Sequence, residues 1–142
     1  MKLALIIDDD KVARDAITDL LKRVSFKIET ASDGMQGATM IKTNNYDMII
    51  HDKGQEKKIK KNHYDLILLD LKMKGLDGEQ VLTVVNRFNN SLPVLVVSGY
   101  LTKDKFINLK KMGVKGFITK PIDINKFYQA VNQICPINTG NN

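Results

Sequence analysis

Cysteine is nearly missing from this chain of 142 residues: Cys135 stands alone, which excludes an internal disulfide and suits a reducing compartment. Long apolar runs are missing too. None approaches the ~20 residues that a membrane span needs. The apolar start, Leu3 to Ile7, is closed at once by Asp8-Asp9-Asp10, too short a stretch for a signal peptide and without a small-residue cleavage site. These absences predict a soluble cytoplasmic protein with no membrane partner. The net charge of +6 raises the question of nucleic acid. Apart from Lys57, Lys58, Lys60 and Lys61, however, the lysines are scattered, and no helix-turn-helix, zinc-finger or aromatic-basic pattern accompanies them. The charge reads as a solvated face, and no direct nucleic-acid binding is expected. His51 and His63 have no metal-ligand spacing with Cys135 and read as surface residues.

What is present is a regular alternation. An apolar content of 43% in this length fits one domain with a single core, placed at 1–135, with a polar, flexible tail at 136–142. Leu3 to Ile7 reads as a buried strand. Ala13, Ala16, Ile17, Leu20, Leu21 and Val24 follow the period of an amphipathic helix. Phe26 to Ala31 reads as a second strand, and Ser32-Asp33-Gly34 as turn and cap before a helix to about Lys42. Tyr64 to Leu69 is the third strand, followed by the loop Gly75 to Gly78 and a helix marked by Val81, Leu82, Val85 and Phe88. Pro93 introduces the strand Val94 to Val97, and a helix over Lys103 to Met112 stops at Gly113. Gly116 to Thr119 is a last strand, and Ile124, Phe127, Tyr128, Val131 and Cys135 mark a final helix. Strands alternating with helices predict an α/β fold: one doubly wound, five-stranded parallel sheet with helices on both faces.

In such a sheet the carboxyl ends of the strands meet at one edge, where ligands sit. Here those ends carry Asp8 and Asp9, Asp70, Ser98 and Lys120. Three carboxylates that close raise one another's pKa unless a cation neutralises them. Hard oxygen ligands at low count suit Mg²⁺, which completes its shell with water and phosphate oxygens. A carboxylate beside a metal, a hydroxyl and an ammonium can attack phosphorus, with the two cations taking up charge on the transferred group. The set makes chemical sense as an aspartyl-phosphate site. Asp10 reads as a helix cap, and Met73, Met112 and the other methionines as packing.

Asp8-Asp9 after the first strand, Asp70-Leu-Lys-Met-Lys-Gly-Leu-Asp-Gly78, Ser98-Gly99 and Lys120-Pro121 together resemble the receiver domain of bacterial response regulators, in order and over nearly the whole chain. The resemblance implies a flavodoxin-like strand order of 2-1-3-4-5 and a signalling switch rather than an enzyme. It implies Asp70 as phosphoryl acceptor and Mg²⁺ held by Asp8, Asp9, Asp70 and the carbonyl of Lys72. It further implies Ser98 and Lys120 as phosphoryl-binding residues, with Ser98 and Phe117 as the switch pair. Phe117 also fits a plain core aromatic. The implied partners are a sensor histidine kinase or phosphotransfer protein and a downstream protein target; with no effector domain expected after Cys135, the receiver is expected to act as a stand-alone unit.

Two departures stand out. Lys74 occupies the place where the family usually has proline. Asp70 also follows Asp9 by 61 positions, close to twenty more than the family's habit, while the spacings from Asp70 to Ser98 and Lys120 are ordinary. The surplus has a visible origin. Tyr46-Asp-Met-Ile-Ile-His-Asp52 repeats the pattern of Tyr64-Asp-Leu-Ile-Leu-Leu-Asp70 at an offset of 18 positions. Residues 46–63 therefore read as an insertion that duplicates the third strand. Asp52 keeps the expected spacing from Asp9, but the loop and both later partners are in register with Asp70. The insertion is expected on the amino-terminal side of the strand, solvated, as a helix extension or a short projecting strand.

Two other functions compete. Asp8-Asp9-Asp10-Lys11-Val12 also fits the D-x-D-x-[TV] opening of haloacid-dehalogenase-like phosphatases. That reading needs a closing pair of acids after Lys120, where only Asp123 stands, and it leaves Asp70 idle. The other competitor is a receiver-like binding module that never takes phosphate; the complete acid, serine and lysine set argues against it.

Overall fold

The computed structural model describes residues 1–44, 48–59, 63–73, 75–88 and 91–138, with backbone only for 48–52 and 56–59. Twelve elements follow one another: β1 Leu3–Ile7, α1 Lys11–Lys22, β2 Lys27–Ala31, α2 Gly34–Asn44, β3 Met48–Asp52, β4 Gln55–Ile59, β5 Leu66–Asp70, α3 Gly78–Phe88, β6 Val94–Ser98, α4 Lys103–Lys111, β7 Gly116–Thr119 and α5 Ile124–Ile134. Five strands form a parallel sheet in the order β2-β1-β5-β6-β7, which is 2-1-3-4-5 when only its own strands are counted.

β1, β5 and β6 are buried along their whole length, because helices cover both faces of the sheet. Their side chains alternate between two cores. Leu3, Leu5, Ile7, Ile67, Leu69, Val94 and Val96 pack toward Ile41 of α2, Val81, Leu82 and Val85 of α3 and Leu109 of α4. Ala4, Ile6, Leu66, Leu68, Leu95 and Val97 pack on the opposite face against α1 and α5, where Ile17, Leu21, Phe127 and Val131 are fully buried. This period of two turns a continuous apolar run into two half-cores. A Leu→Ala change in such a position costs about 2–5 kcal/mol.

Caps hold the helices at the functional edge. Asp10 is the N-cap of α1, accepting from the Val12 N–H; Thr102 and Asp123 do the same for α4 and α5. Gly34 opens α2 where the Leu76 carbonyl approaches so closely that a Cβ would collide with it. That contact docks the loop after β5 onto α2.

The third sheet strand starts at Leu66, two residues later than the sequence reading. Tyr64 and Asp65 instead anchor its entry: the Tyr64 hydroxyl donates to Glu29 at 2.6 Å, and Asp65 accepts the Leu3 N–H at 2.8 Å. The first copy does not enter the main sheet. β3 pairs antiparallel with β4 as a two-stranded hairpin. Its two-residue turn has positive φ at both positions, 51° at Lys53 and 79° at Gly54, the twist that such hairpins require. Beyond α5, Lys2 donates to the Pro136 carbonyl and Ile137 packs on the α1/α5 core. Residues 139–142 lie outside the described residues. None of the described helices is long and apolar enough to cross a membrane.

Candidate functional site

The carboxyl edge of the sheet gathers the polar residues that the core excludes. Asp8, Asp70 and Ser98 are the buried polar residues among those described, and all three sit at strand ends. Carboxylate oxygens of Asp8, Asp9 and Asp70 lie within 4.8 Å of one another. They come from two adjacent strands, since β1 and β5 pair in parallel with Ile7 opposite Leu69.

Each group is fixed differently. Asp8 accepts the Asp10 N–H on one oxygen at 2.9 Å and the Lys120 ammonium on the other at 3.1 Å. Its carbonyl accepts from the Arg14 guanidinium at 2.8 Å. Asp9 is exposed and lines a groove of about 410 Å³ with Lys72, Met73, Asp77 and Lys105. Asp70 accepts the Lys72 N–H at 3.2 Å and lies 3.6 Å from Lys120. Burial first, and then the charge of Asp8, push the Asp70 carboxyl up to about 6, against the pull of Lys120. Burial pulls the Lys120 ammonium down, but its hydrogen bond to Asp8 and the charges of Asp70 and Asp8 outweigh that, so the net shift is upward. Lys120 is shared by Asp8 and Asp70, and with Asp9 beside them the three carboxylates make an oxygen site of the kind a hard cation takes.

Ser98 ends β6 beside this cluster, but its hydroxyl is turned to the Tyr100 backbone, donating to the carbonyl at 3.0 Å. Lys120 follows β7, and its N–H donates to the Ser98 carbonyl at 2.8 Å, tying the two strand ends together. The Lys120–Pro121 peptide is cis. Phe117 lies apart, half-buried in β7 and 4.6 Å from Phe106 of α4, centroid to centroid. Asp10 caps α1 and does not join the acid cluster, which speaks against its use as the second acid of a dehalogenase-like site. Lys74 lies outside the described residues. Gly78 permits the loop to return, since a Cβ there would stand 2.7 Å from the Asp70 carbonyl.

Nothing in the sequence pattern marks Arg14 or Phe106. Arg14 sits one turn into α1, where its long side chain reaches back to the Asp8 carbonyl, and no spacing rule marks such a reach. Phe106 lies on a helix with one buried residue, Leu109, so its period carries little signal.

A doubly wound sheet with an acid triad and a lysine at its carboxyl edge defines a receiver-type switch. The response regulator receiver domain family matches residues 4–54 and 53–132, and the chain belongs to it. Phosphoryl acceptance is the general function of this family, whose members are signalling domains. The chain is 23% identical over 133 residues to the sporulation initiation phosphotransferase F of Bacillus subtilis, covering 94% of this chain and 93% of that protein. It is 25% identical over 129 residues to the transcriptional regulatory protein ZraR of Klebsiella oxytoca, spanning 91% of this chain but 25% of ZraR. Among solved structures it resembles a chain of a CheX–CheY–BeF3–Mg complex from Borrelia burgdorferi, with TM-score 0.79, 24% identity and coverage of 94% and 88%. The chemotaxis protein CheY4 of Vibrio cholerae gives TM-score 0.75 at 18% identity, with coverage of 94% and 98%.

Proposed function

We propose that the chain is a Mg²⁺-dependent receiver that takes a phosphoryl group on Asp70 from a histidine kinase or phosphotransfer protein. The observation that carries this is the convergence of Asp8, Asp9 and Asp70 with Lys120 on one sheet edge. Three carboxylates within 4.8 Å fit a small hard cation. Asp8, Asp9 and Asp70 would hold Mg²⁺, with the Lys72 carbonyl as a further ligand, and the bound ion would neutralise charge on the transferred oxygens. An Asp70 oxygen forms the new bond to phosphorus as the P–N bond of a phosphohistidine breaks, the electron pair leaving on the imidazole nitrogen. Lys120 already stands between Asp8 and Asp70, placed to pair with a phosphoryl oxygen.

Ser98 supplies the switch in this reading. Its hydroxyl leaves the Tyr100 carbonyl for a phosphoryl oxygen, which draws the start of the β6–α4 loop inward. Phe117 and Phe106 then respond together, since their rings are in contact, and the β7–α4 face changes as a two-state shift. The likeness along almost the full length of the sporulation phosphotransferase supports output by protein contact or phosphoryl relay.

The test is intact mass after acetyl phosphate and Mg²⁺. Wild type and Asp52→Asn gain one phosphoryl group; Asp70→Asn loses at least nine-tenths of the adduct, on the order of the loss expected for removal of a nucleophile. Equal adduct in Asp70→Asn would overturn the assignment. Backbone NMR with a phosphoryl mimic should show shifts at Phe106 and Phe117; changes confined to the site loops would uncouple the switch.

A further inference from the structure

Receiver function makes no use of β3 or β4, yet β3 repeats the acceptor strand. The family match divides at this repeat: the stretch 4–54 contains the copy ending in Asp52, and the stretch 53–132 contains the copy ending in Asp70. The contacts that hold β5 in place can be compared with the first copy, position by position. Tyr64 donates to Glu29, and the first copy offers Tyr46. Asp65 accepts the Leu3 N–H, and the first copy offers Asp47. Leu66, Ile67 and Leu68 are buried; their counterparts Met48, Ile49 and Ile50 are apolar and of similar volume. Asp52 stands for Asp70. The one polar mismatch is His51 for Leu69, which is 0% exposed among apolar side chains. An imidazole there would give up water for an apolar surround.

Chain length permits the exchange. α2 ends at Asn44, so the first copy reaches the sheet through a connection of ordinary length. The return to α3 would then start at Lys53 instead of Leu71, a connection 18 residues longer, and the cost of closing a loop rises slowly with its length.

We propose that the two copies compete for the place beside β1, and that Asp52 is a second phosphoryl-acceptor site. It is presented by a minor state in which residues 46–52 replace 64–70, kept minor by the burial of His51 in the place of Leu69 and by the loss of the loop that docks on Gly34 and returns through Gly78. The proposal rests on the reading of Asp70 as acceptor. In the exchanged state an Asp52 oxygen bonds to the phosphorus of acetyl phosphate as the bond to the acetate oxygen breaks, acetate leaving with the electron pair.

The experiment uses the full chain. Asp70→Asn and His51→Leu/Asp70→Asn are treated with acetyl phosphate and Mg²⁺ and mapped by peptide mass. In parallel, hydrogen exchange is followed over 46–52 and 64–70 in wild type and His51→Leu, without phosphate or metal. Asp70→Asn should retain a small adduct located on Asp52, and adding His51→Leu should raise it by about tenfold, as the burial penalty is removed. In His51→Leu, amides of 66–70 should exchange faster while those of 48–52 gain protection. No adduct on Asp52 in the double variant, with protection unchanged over both segments, overturns the proposal. Failure of wild type to take phosphate on Asp70 would sink the acceptor reading alone, and the exchange data would still decide whether the strands trade places.

Discussion

At the amino end of β5, Asp65 accepts the Leu3 N–H at 2.8 Å and Tyr64 gives its hydroxyl to Glu29 at 2.6 Å. At the carboxyl end of the same strand, Asp8 and Asp70 share Lys120, and a carboxylate oxygen of Asp9 lies within 4.8 Å of theirs. Both ends carry acids, and they do opposite things. The amino end spends its polar groups on each other: burial and the Glu29 bond push the Tyr64 hydroxyl up beyond any useful titration, and burial pushes the nearby Cys135 thiol up as well. The carboxyl end holds its acids against one another: burial and the charge of Asp8 push the Asp70 carboxyl up to about 6. Perturbed acids gather where chemistry is done, and satisfied ones where stability is made.

The largest expected effect on this contrast is at the satisfied end. Asp65→Ala removes the acceptor of the Leu3 N–H and should cost about 2 kcal/mol in urea unfolding, the penalty for a partly buried donor left without its partner. A change below about 0.5 kcal/mol would mean that water replaces the carboxylate at no loss, and the contrast between the ends would weaken.

Asp70→Asn should act with the other sign. In metal-free protein at pH 8 it removes one of the crowded carboxylates and should stabilise by about 1 kcal/mol, less than the ~1.4 kcal/mol per pKa unit suggests, because solvent screens the site. The same group sets a pH dependence. Its folded pKa of about 6 lies above the ~3.9 of an unfolded aspartate, so the folded state binds more protons between these values. Stability of the metal-free protein should therefore fall as pH rises from about 4 to about 6 and then level off, a trend that Asp70→Asn flattens. Thermal melts across that range measure it. Added Mg²⁺ should raise the melting temperature of wild type at pH 8, because it binds the folded state, and should do so far less in Asp70→Asn.

Much of this was legible in the sequence because burial on both faces leaves a plain signature. Leu3 to Ile7, Leu66 to Leu69 and Val94 to Val97 are continuous apolar runs, and the first polar residue after each marks the edge where the site lies. Side-chain direction was less legible. Nothing in Ser98-Gly99 tells that the hydroxyl turns to the Tyr100 carbonyl, since rotation about one bond decides it. The hairpin was legible only as surplus chain. Met48 to Asp52 reads as well for a central strand as for a hairpin arm, and the turn Lys53-Gly54 is a weaker signal than Asn-Gly would be. What settles the choice is context that no short window contains: Asp70, not Asp52, is followed by the loop that docks on Gly34 and returns through Gly78.

The smallest expected effect tests whether the two ends of β5 are as separate as their chemistry. The hairpin joins the chain between α2 and β5, at the amino end of the strand, opposite the acid cluster. Its removal leaves the sequence of the carboxyl edge and the described contacts of Asp8 and Asp70 untouched. Deleting residues 46–63 joins Asn45 to Tyr64, keeping both anchors of the amino end, Tyr64 to Glu29 and Asp65 to Leu3. Shortening a connection by this much changes its closure entropy by only about 1 kcal/mol. The variant should fold with stability within about 1 kcal/mol of wild type and take phosphate on the same aspartate at an unchanged rate. Loss of phosphorylation in a folded variant would show that the amino-end insertion reaches the acceptor edge after all. Loss of folding would show that residues 46–63 belong to the core, and the assignment of Leu66–Asp70 as the independent central strand would fall with it.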